Sequence, residues 1–444
     1  MIKQDGVARY REVSWRNSNK GGNAGKALVP IGDEGFLFFY EQFFGEFSDK
    51  ETIKMLKKPT LFMPGPTNVP ERVLQAMDRP VINHRGPAYE GMFRKVSTEM
   101  QGIFQTQEPV LIYPAAGTGM MEAAIVNVLS PGDTVLVVSI GVFGDRIADI
   151  ATRFGLKVEK LAVEWGCAAE PQVLKERLEQ DVNREIKAVF ITHNETSTGI
   201  TNPLQQLAAA AAFHPALVIV DAVSSLGAIE LKMDEWGLDV VFTGAQKALM
   251  LPPGLGFMAL SSKAMAAYET STLPKYYWDV ALLKKSLAKW QNPYTPPVSL
   301  LFGLQESLTM IAEEGLYAIF RRHEILARAV RAGVTALGLE LFAQGAGASN
   351  VVTAVKAPEG IGGKAIQSHM REFFGITLAG GQKQLENKIF RIGHLGYVAP
   401  TDVLLVIAAL EMTLTALKVP CSLGEGVKAA QLSLLADGLL VMDH

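Results

Sequence analysis

The sequence has few cysteines, almost no net charge and no long apolar run. Only Cys167 and Cys421 are present, too few for a disulfide framework and in no metal-ligand spacing, so we expect no metal and a reducing cytosol. The 42 Lys and Arg residues nearly balance the 45 Asp and Glu residues, which leaves no basic field for nucleic acid or an anionic membrane. The longest apolar stretches, such as 403–410, are far shorter than a bilayer requires. A cytoplasmic protein that acts on small molecules, or that binds other proteins, is therefore expected.

The N-terminal segment differs from the rest of the chain. Residues 36–47 carry seven aromatics in twelve residues, and most of them would share one helical face, which could dock on a partner or a membrane surface. The alternative, which we prefer, is a poorly ordered extension over 1–54, because a clean domain start is visible at Met55. The segment lacks the basic patch and apolar core of a secretory signal.

Alternating strands and helices from about residue 76 predict an α/β fold. Short apolar runs typical of buried parallel strands occur at 135–139, 188–192, 217–221 and 240–243. Helical stretches lie between them, which predicts a mostly parallel sheet with helices on both faces. Two long helices are expected at 300–314 and 316–337. The predicted organisation is an arm at 55–75, a large domain at 76–314, a smaller α+β domain at 315–420 and a C-terminal tail at 421–444.

Two candidate ligand-binding motifs follow predicted strands, and ligands collect outside the carboxyl ends of parallel strands. The turn Ala115-Ala-Gly-Thr-Gly119 leads into a helix, where unpaired N–H groups suit a phosphate. Tight strand-to-helix turns also use such glycines for backbone reasons alone. Asp221 ends an apolar strand and could hold a cationic ring nitrogen or a metal, or it could cap the turn that follows.

Lys247 is the candidate nucleophile. It lies in a turn of small residues, 243–249, between a strand and an apolar Pro-Pro-Gly loop. A desolvated lysine has a lowered pKa and can form a Schiff base, although surface lysines are far commoner. The polar run His193–Gly199 follows another predicted strand and offers several hydrogen-bond donors to a ligand.

Asp221, the turn with Gln246-Lys247 and the upstream run His193–Gly199 together resemble the class V aminotransferases, which are fold-type I enzymes dependent on pyridoxal 5′-phosphate (PLP). The resemblance is strongest to alanine–glyoxylate and serine–glyoxylate (serine–pyruvate) aminotransferases and extends from about residue 55 to residue 419. Further matching stretches are Pro64-Gly-Pro-Thr-Asn68, 122–133, 291–298 and Arg391-Ile-Gly393.

The resemblance implies roles for particular residues around PLP. Lys247 would form the Schiff base and Asp221 would pair with the pyridine nitrogen. The other implied cofactor contacts are Gly117, Thr118 and Gln246 at the phosphate, Phe143 on the ring face and Thr196 near the ring hydroxyl. Phe143 could instead be an ordinary core residue.

Implied substrate and subunit contacts complete the predicted site. Arg391 would bind the substrate carboxylate with its planar fork, the alternative being a surface ion pair, and Gly65 would lie in the substrate pocket. Thr295 would reach the phosphate of a neighbouring subunit, which implies a homodimer with shared sites. Asn292 occupies a position where some relatives carry Tyr, so its part in that contact stays open.

The implied reaction is a ping-pong transamination through pyridoxamine phosphate, from alanine or serine to glyoxylate or pyruvate. One alternative is a PLP lyase such as a cysteine desulfurase, for which neither cysteine is well placed. Another is a non-catalytic accessory subunit that keeps the fold. The stretch Gly345-Ala-Gly-Ala-Ser349 imitates a dinucleotide loop, but no acidic residue follows about twenty residues later at a strand end.

Overall fold

The computed structural model describes residues 10–15, 25–30, 57–343 and 345–437. Residues Met1–Leu56 and Lys57–His444 form two separate compact units. In the first, strand β1 (Tyr10–Trp15) pairs antiparallel with β2 (Gly25–Pro30). The aromatic run 36–47, and with it the proposed helical face, lies outside the described residues.

A seven-stranded, mostly parallel sheet organises the second unit. Its strands are β4 (Leu111–Tyr113), β5 (Thr134–Ser139), β6 (Lys157–Ala162), β7 (Ile186–Thr192), β10 (Leu217–Asp221), β11 (Val240–Gly244) and β12 (Gly256–Leu260). They lie in the order β4-β12-β11-β10-β7-β5-β6, and β12 alone runs antiparallel to its two neighbours. A separate short pair, β8 (Asn194–Glu195) with β9 (Ile200–Thr201), follows β7.

Apolar side chains on both faces of this sheet bury it between two layers of helices. In β10, Val218 and Val220 belong to one core cluster, while Leu217 and Ile219 belong to the other. Alternate residues of a strand point to opposite faces, so the all-apolar strand indicates burial on both sides. On one face pack α3 (Gly117–Val128), α4 (Val142–Arg153), α7 (Ser262–Thr270) and α8 (Val280–Leu287). On the other pack α1 (Glu71–Met77), α2 (Pro87–Phe104), α5 (Pro171–Glu179), α6 (Leu204–Ala211) and α9 (Val298–Glu314).

A four-stranded sheet carries the rest of the chain. Its order is β13 (Val352–Lys356), β15 (Ile389–Gly393), β14 (Ile376–Gly380) and β3 (Thr60–Phe62). Strand β15 pairs antiparallel with both β13 and β14, whereas β3 runs parallel to β14. The residues predicted as an N-terminal arm therefore contribute an edge strand to a sheet made otherwise of C-terminal residues.

Helices α10 (Leu316–Ala336), α11 (Gly363–Phe374), α12 (Pro400–Ala416) and α13 (Glu425–Ala436) enclose the core of this second sheet. Helix α13 falls in the predicted tail, yet its Ala430 and Leu434 are buried in the same cluster as residues of α10 and α12. Within the described part of the chain, no helix has the length and apolar character needed to cross a bilayer. The predicted α/β fold with a mostly parallel sheet is confirmed, and the domain boundaries stay a prediction.

Candidate active site

The candidate site lies where β7, β10 and β11 end. These strands are parallel neighbours, so their carboxyl ends meet at one edge of the sheet. Asp221 is the last residue of β10, and Lys247 follows β11 by three residues. The apolar strands thus deliver both predicted groups to one crevice.

Lys247 is held by the N-terminal arm. Its Nζ donates a hydrogen bond to the Pro64 carbonyl oxygen at 2.8 Å. Burial lowers the pKa of Lys247 to about 8, an effect that the charge of Asp221 opposes and those of Arg391 and Arg146 reinforce. An amine with this pKa is partly neutral at physiological pH and can therefore act as a nucleophile or a base.

Gly65 leaves room for that lysine. Its φ of +134° is one that residues with side chains rarely adopt, and a Cβ there would lie 2.3 Å from the Lys247 Nζ. The structure therefore places Gly65 against the predicted nucleophile, and its contact with substrate stays a prediction.

Asp221 is 4% exposed, and one of its oxygens remains available to a ligand. Oδ1 accepts a hydrogen bond from the Val223 N–H at 2.9 Å, as a capping side chain would. Burial raises the pKa of Asp221 to about 7; that N–H lowers it, the charge of Glu195 raises it further, and Lys247 and Arg146 lower it. Among the described residues Oδ2 has no hydrogen-bond partner, so a cationic N–H could bind there.

The predicted phosphate-binding turn forms the first turn of α3. Gly117 begins that helix, so its N–H and that of Thr118 lie at the helix N-terminus. A Cβ on Gly117 would lie 2.8 Å from Val223, in the turn that follows Asp221. The Gln246 Oε1 is buried without a hydrogen-bond partner among the described residues. Close backbone approach and free N–H groups are what a bound phosphate group would require, and Gln246 could contribute only if its amide turned its Nε2 towards that group.

Phe143 lies in the first turn of α4 and is partly buried against the core beside it. The guanidinium of Arg146 lies 4.8 Å from the Phe143 ring centroid and donates to the Thr118 hydroxyl at 3.3 Å. Arg146 was not among the predicted site residues. Its position three residues after Phe143 on a helix, which puts both on one face, is the signal that could have identified it.

Glu195 is a second group absent from the prediction. It is fully buried, and its Oε2 accepts hydrogen bonds from the N–H groups of Phe143 and Gly144 at 2.9 and 3.3 Å. Its Oε1 accepts from the Ser197 N–H at 3.1 Å and from the Ser197 hydroxyl at 2.5 Å. Burial raises the pKa of Glu195, and these four donors oppose that rise. This carboxylate joins the turn that carries Thr196 to the start of the helix that carries Phe143.

Arg391 lies in the centre of the four-stranded sheet and is 4% exposed, which excludes a surface ion pair. Its Nε and Nη2 donate to the Gly380 carbonyl at 2.9 and 2.6 Å, and Nη1 donates to the Thr196 carbonyl at 2.7 Å. Burial lowers the pKa of Arg391 to about 10, while the charge of Glu195 raises it. The residue therefore connects the second sheet to the buried Thr196 turn.

Thr295 makes no contact with the candidate-site residues among the described residues, and its side chain is exposed. Asn292 is buried and directed inward, accepting a hydrogen bond from the Tyr89 hydroxyl.

His193 is buried beside Asp221, with its Nδ1 unpaired among the described residues, and burial lowers its pKa to about 3. It is therefore a neutral imidazole.

Residues 60–394 match the family described as Aminotransferase class-V, and this chain belongs to that family. The predicted family is thereby confirmed. Members of the family and their structural neighbours depend on PLP. The residues found here fit that cofactor, since the N–H groups at the Gly117 turn match its phosphate and the free Asp221 Oδ2 matches its ring nitrogen.

Some relatives are named as hydrogenase subunits and others as aminotransferases. A "soluble hydrogenase 42 kDa subunit" of Anabaena cylindrica is 47% identical, over 80% of this chain and 93% of its own length. A serine–glyoxylate aminotransferase of Methylorubrum extorquens is 40% identical, over 83% of this chain and 94% of its own length. Among solved structures, pyridoxamine–pyruvate aminotransferase of Mesorhizobium loti has a TM-score of 0.81 and 30% identity, covering 87% of this chain and 99% of that one. The fold is therefore that of the fold-type I PLP enzymes.

Proposed function

We propose that this enzyme moves the amino group of alanine or serine to glyoxylate or pyruvate in two half-reactions, with PLP carrying the group between them. The observation that carries the proposal is the pairing of Lys247, an enclosed amine with a pKa of about 8, with Asp221 on the neighbouring strand. The similarity to a serine–glyoxylate aminotransferase supports the choice of substrates.

PLP, when bound, supplies the electron sink that stabilises negative charge at the substrate α-carbon. Lys247 would hold the cofactor at rest, and its Nζ would take the proton from the α-carbon during turnover. A base is most effective when its pKa lies near the working pH, and the lowered pKa of Lys247 meets that condition.

Asp221 would keep the ring nitrogen protonated. Its Oδ1 is fixed by the Val223 N–H, which leaves Oδ2 to accept a hydrogen bond from the ring. A cation beside a buried carboxylate favours the ionised form, so binding of a protonated ring would lower the pKa of Asp221 from about 7.

Arg391 would bind the substrate carboxylate. Three of its hydrogen bonds go to the carbonyls of Gly380 and Thr196, and a guanidinium has five N–H groups, so two remain. The backbone carbonyls orient the fork without neutralising its charge. This leaves the charge available for a small acid.

We also propose a cytoplasmic homodimer. Thr295, which is exposed in the single chain, would reach the phosphate bound by a second copy. Asn292 would not share that task, because its side chain accepts a hydrogen bond from Tyr89 within its own chain.

A half-reaction screen tests the proposal. The PLP-loaded protein is mixed with single amino acids (alanine, serine, aspartate and cysteine), and loss of the visible cofactor band is followed. Glyoxylate, pyruvate or 2-oxoglutarate is then added to restore the band. We expect rapid bleaching by alanine or serine and recovery with glyoxylate or pyruvate. Lys247→Ala serves as the control for the slow reaction of PLP alone.

Two outcomes would contradict the proposal. Release of sulfide from cysteine without bleaching would indicate a desulfurase. A cofactor band that no amino acid bleaches faster than in the Lys247→Ala control would favour an accessory subunit that keeps the fold.

A further inference from the structure

A cavity of about 680 Å³ lies between the two sheets, apart from the candidate active site. Its walls include one side of α10, the residues at and after the end of β9, and the glycine-rich stretch Gly345–Ala348. Lys247, Asp221 and Arg391 are not among its lining residues. The proposed transamination therefore assigns no role to this cavity.

One of the two arginines that line the cavity is already balanced by carboxylates. Arg328 donates to Glu324 at 2.5 Å and to the two carboxylate oxygens of Asp437 at 2.6 and 3.0 Å. Arg321 also pairs with both acids, at 2.8 Å from Glu324 and 3.5 Å from Asp437. The two carboxylates are thus shared by two guanidinium groups.

Arg331 is the third guanidinium of this region and has no acid within ion-pair distance among the described residues. Its one hydrogen bond within them runs from Nη1 to the Ser349 carbonyl at 2.9 Å. Burial and the charge of Arg328 lower the pKa of Arg331, and Glu324 opposes this only in part. A partly buried cation without a counter-charge is costly, and a bound anion would relieve that cost.

A second donor lines the same cavity. The Asn350 carbonyl accepts from His394, but its side-chain amide has no hydrogen-bond partner within the described residues. The unused N–H groups of Arg331 and this amide line the same cavity, and both are donors that a carboxylate or a phosphate group can accept from.

We propose that this cavity binds a small oxyanion, a carboxylate or phosphate group, on Arg331 with Asn350 as the second donor. Helix α10 packs on the four-stranded sheet, and the residues after β9 lead into α6, which packs on the seven-stranded sheet, so the bound anion would contact elements that belong to both layers. Ser349 connects the site to the Thr196 turn, since its N–H donates to the Gly199 carbonyl at 2.9 Å and its hydroxyl to Asn194 at 2.7 Å.

The test is the melting temperature of the PLP-loaded protein against increasing sodium phosphate and, separately, sodium acetate, at constant ionic strength. A ligand that binds only the folded state raises the melting temperature in a saturable way. We expect such a rise with at least one of the two anions, and the anion that gives it identifies the preferred group.

Variants of Arg331 test whether the anion that raises the melting temperature binds at this residue. Arg331→Gln should weaken the apparent affinity at least about tenfold, because it removes a charge-assisted hydrogen bond. Arg331→Lys, which keeps the charge and loses the fork, should bind with intermediate affinity and serves if the glutamine variant folds poorly. Arg371→Gln, at an exposed position on α11, is the matched control for the loss of one positive charge and should bind as the parent does.

An anion bound at the active site would stabilise the Arg331 variants as well. An identical saturable rise in the parent, Arg331→Gln and Arg331→Lys would therefore overturn the proposal. Absence of a saturable rise with both anions in the parent protein would overturn it too.

Discussion

Replacing Glu195 with Gln tests whether a buried negative charge holds the active-site loops together. The carboxylate accepts hydrogen bonds from three backbone N–H groups, those of Phe143, Gly144 and Ser197, and from the Ser197 hydroxyl. Glutamine has the same shape, but one of its two terminal atoms is an NH₂ group that cannot accept. Whichever way the amide turns, at least one buried N–H group loses its acceptor.

The expected loss of unfolding free energy follows from the amide orientation that leaves fewer N–H groups unpaired. With the amide oxygen towards α4, only the Ser197 N–H is left unpaired, which costs about 1–3 kcal/mol. Loss of a negative charge at the N-terminus of α4 adds about 0.3–1 kcal/mol. We therefore expect Glu195→Gln to lower the free energy of unfolding by roughly 1.3–4 kcal/mol.

Urea unfolding of the PLP-loaded protein, followed by tryptophan fluorescence, measures this loss. Glu185→Gln is the matched control: that side chain is exposed and makes no hydrogen bond within the described residues, so its effect should stay within about 0.5 kcal/mol. Equal midpoints for the two variants would refute the reasoning. That result would mean that Glu195 is protonated in the native protein, since burial raises its pKa.

Four further outcomes are expected. Asp221→Asn should stay folded but slow the loss of the substrate α-proton, because each pKa unit lost at the ring nitrogen is worth about 1.4 kcal/mol; bleaching at the parent rate would return Asp221 to a capping role. Arg391→Lys should weaken amino-acid binding about ten- to a hundredfold with PLP binding unchanged, as measured by half-reaction titration; an unchanged KM and kcat would contradict this. The rate at which the apoprotein attaches PLP should rise with pH, reach half its maximum near pH 8 and level off above that, since half of the Lys247 amines are neutral at the pKa; a flat profile would show that another step limits the rate. A chain that starts at Met55 should keep most of its turnover, whereas one that also lacks Thr60–Phe62 should not, and equal activities would show that β3 is dispensable.

The positions of Asp221 and Lys247 could be predicted because Asp221 ends an otherwise apolar strand, Lys247 follows a largely apolar one, and parallel strands place their carboxyl ends at one edge. The direction of strand β12 could not be predicted from the sequence. Gly256–Leu260 is as apolar as its neighbours, and only pairing shows that it runs antiparallel to β11 and β4. The pattern of buried residues specifies a strand without specifying its orientation.

Arg146 and Glu195 were missed for a related reason. Each acts through a contact with a residue far along the chain, Arg146 on Thr118 and Glu195 on the start of α4. A charged residue in a helix or a polar loop is usually solvated, so the sequence around it favours that simpler interpretation. The sequence predicts a tail at 421–444, where the structure has the helix Glu425–Ala436. Packing against α10, rather than intrinsic propensity, accounts for its burial.

The pairing of β3 with β14 has a consequence for the order in which the site can assemble during synthesis. The strand Thr60–Phe62 is made early, but its partner Ile376–Leu378 lies roughly three hundred residues later, and such distant pairings form late. Pro64, whose carbonyl accepts the Lys247 hydrogen bond, lies two residues after this strand. A nascent or truncated chain without β14 would therefore lack the support that holds its lysine in place. If Lys247 holds the cofactor as proposed, cofactor capture would then depend on completion of nearly the whole polypeptide.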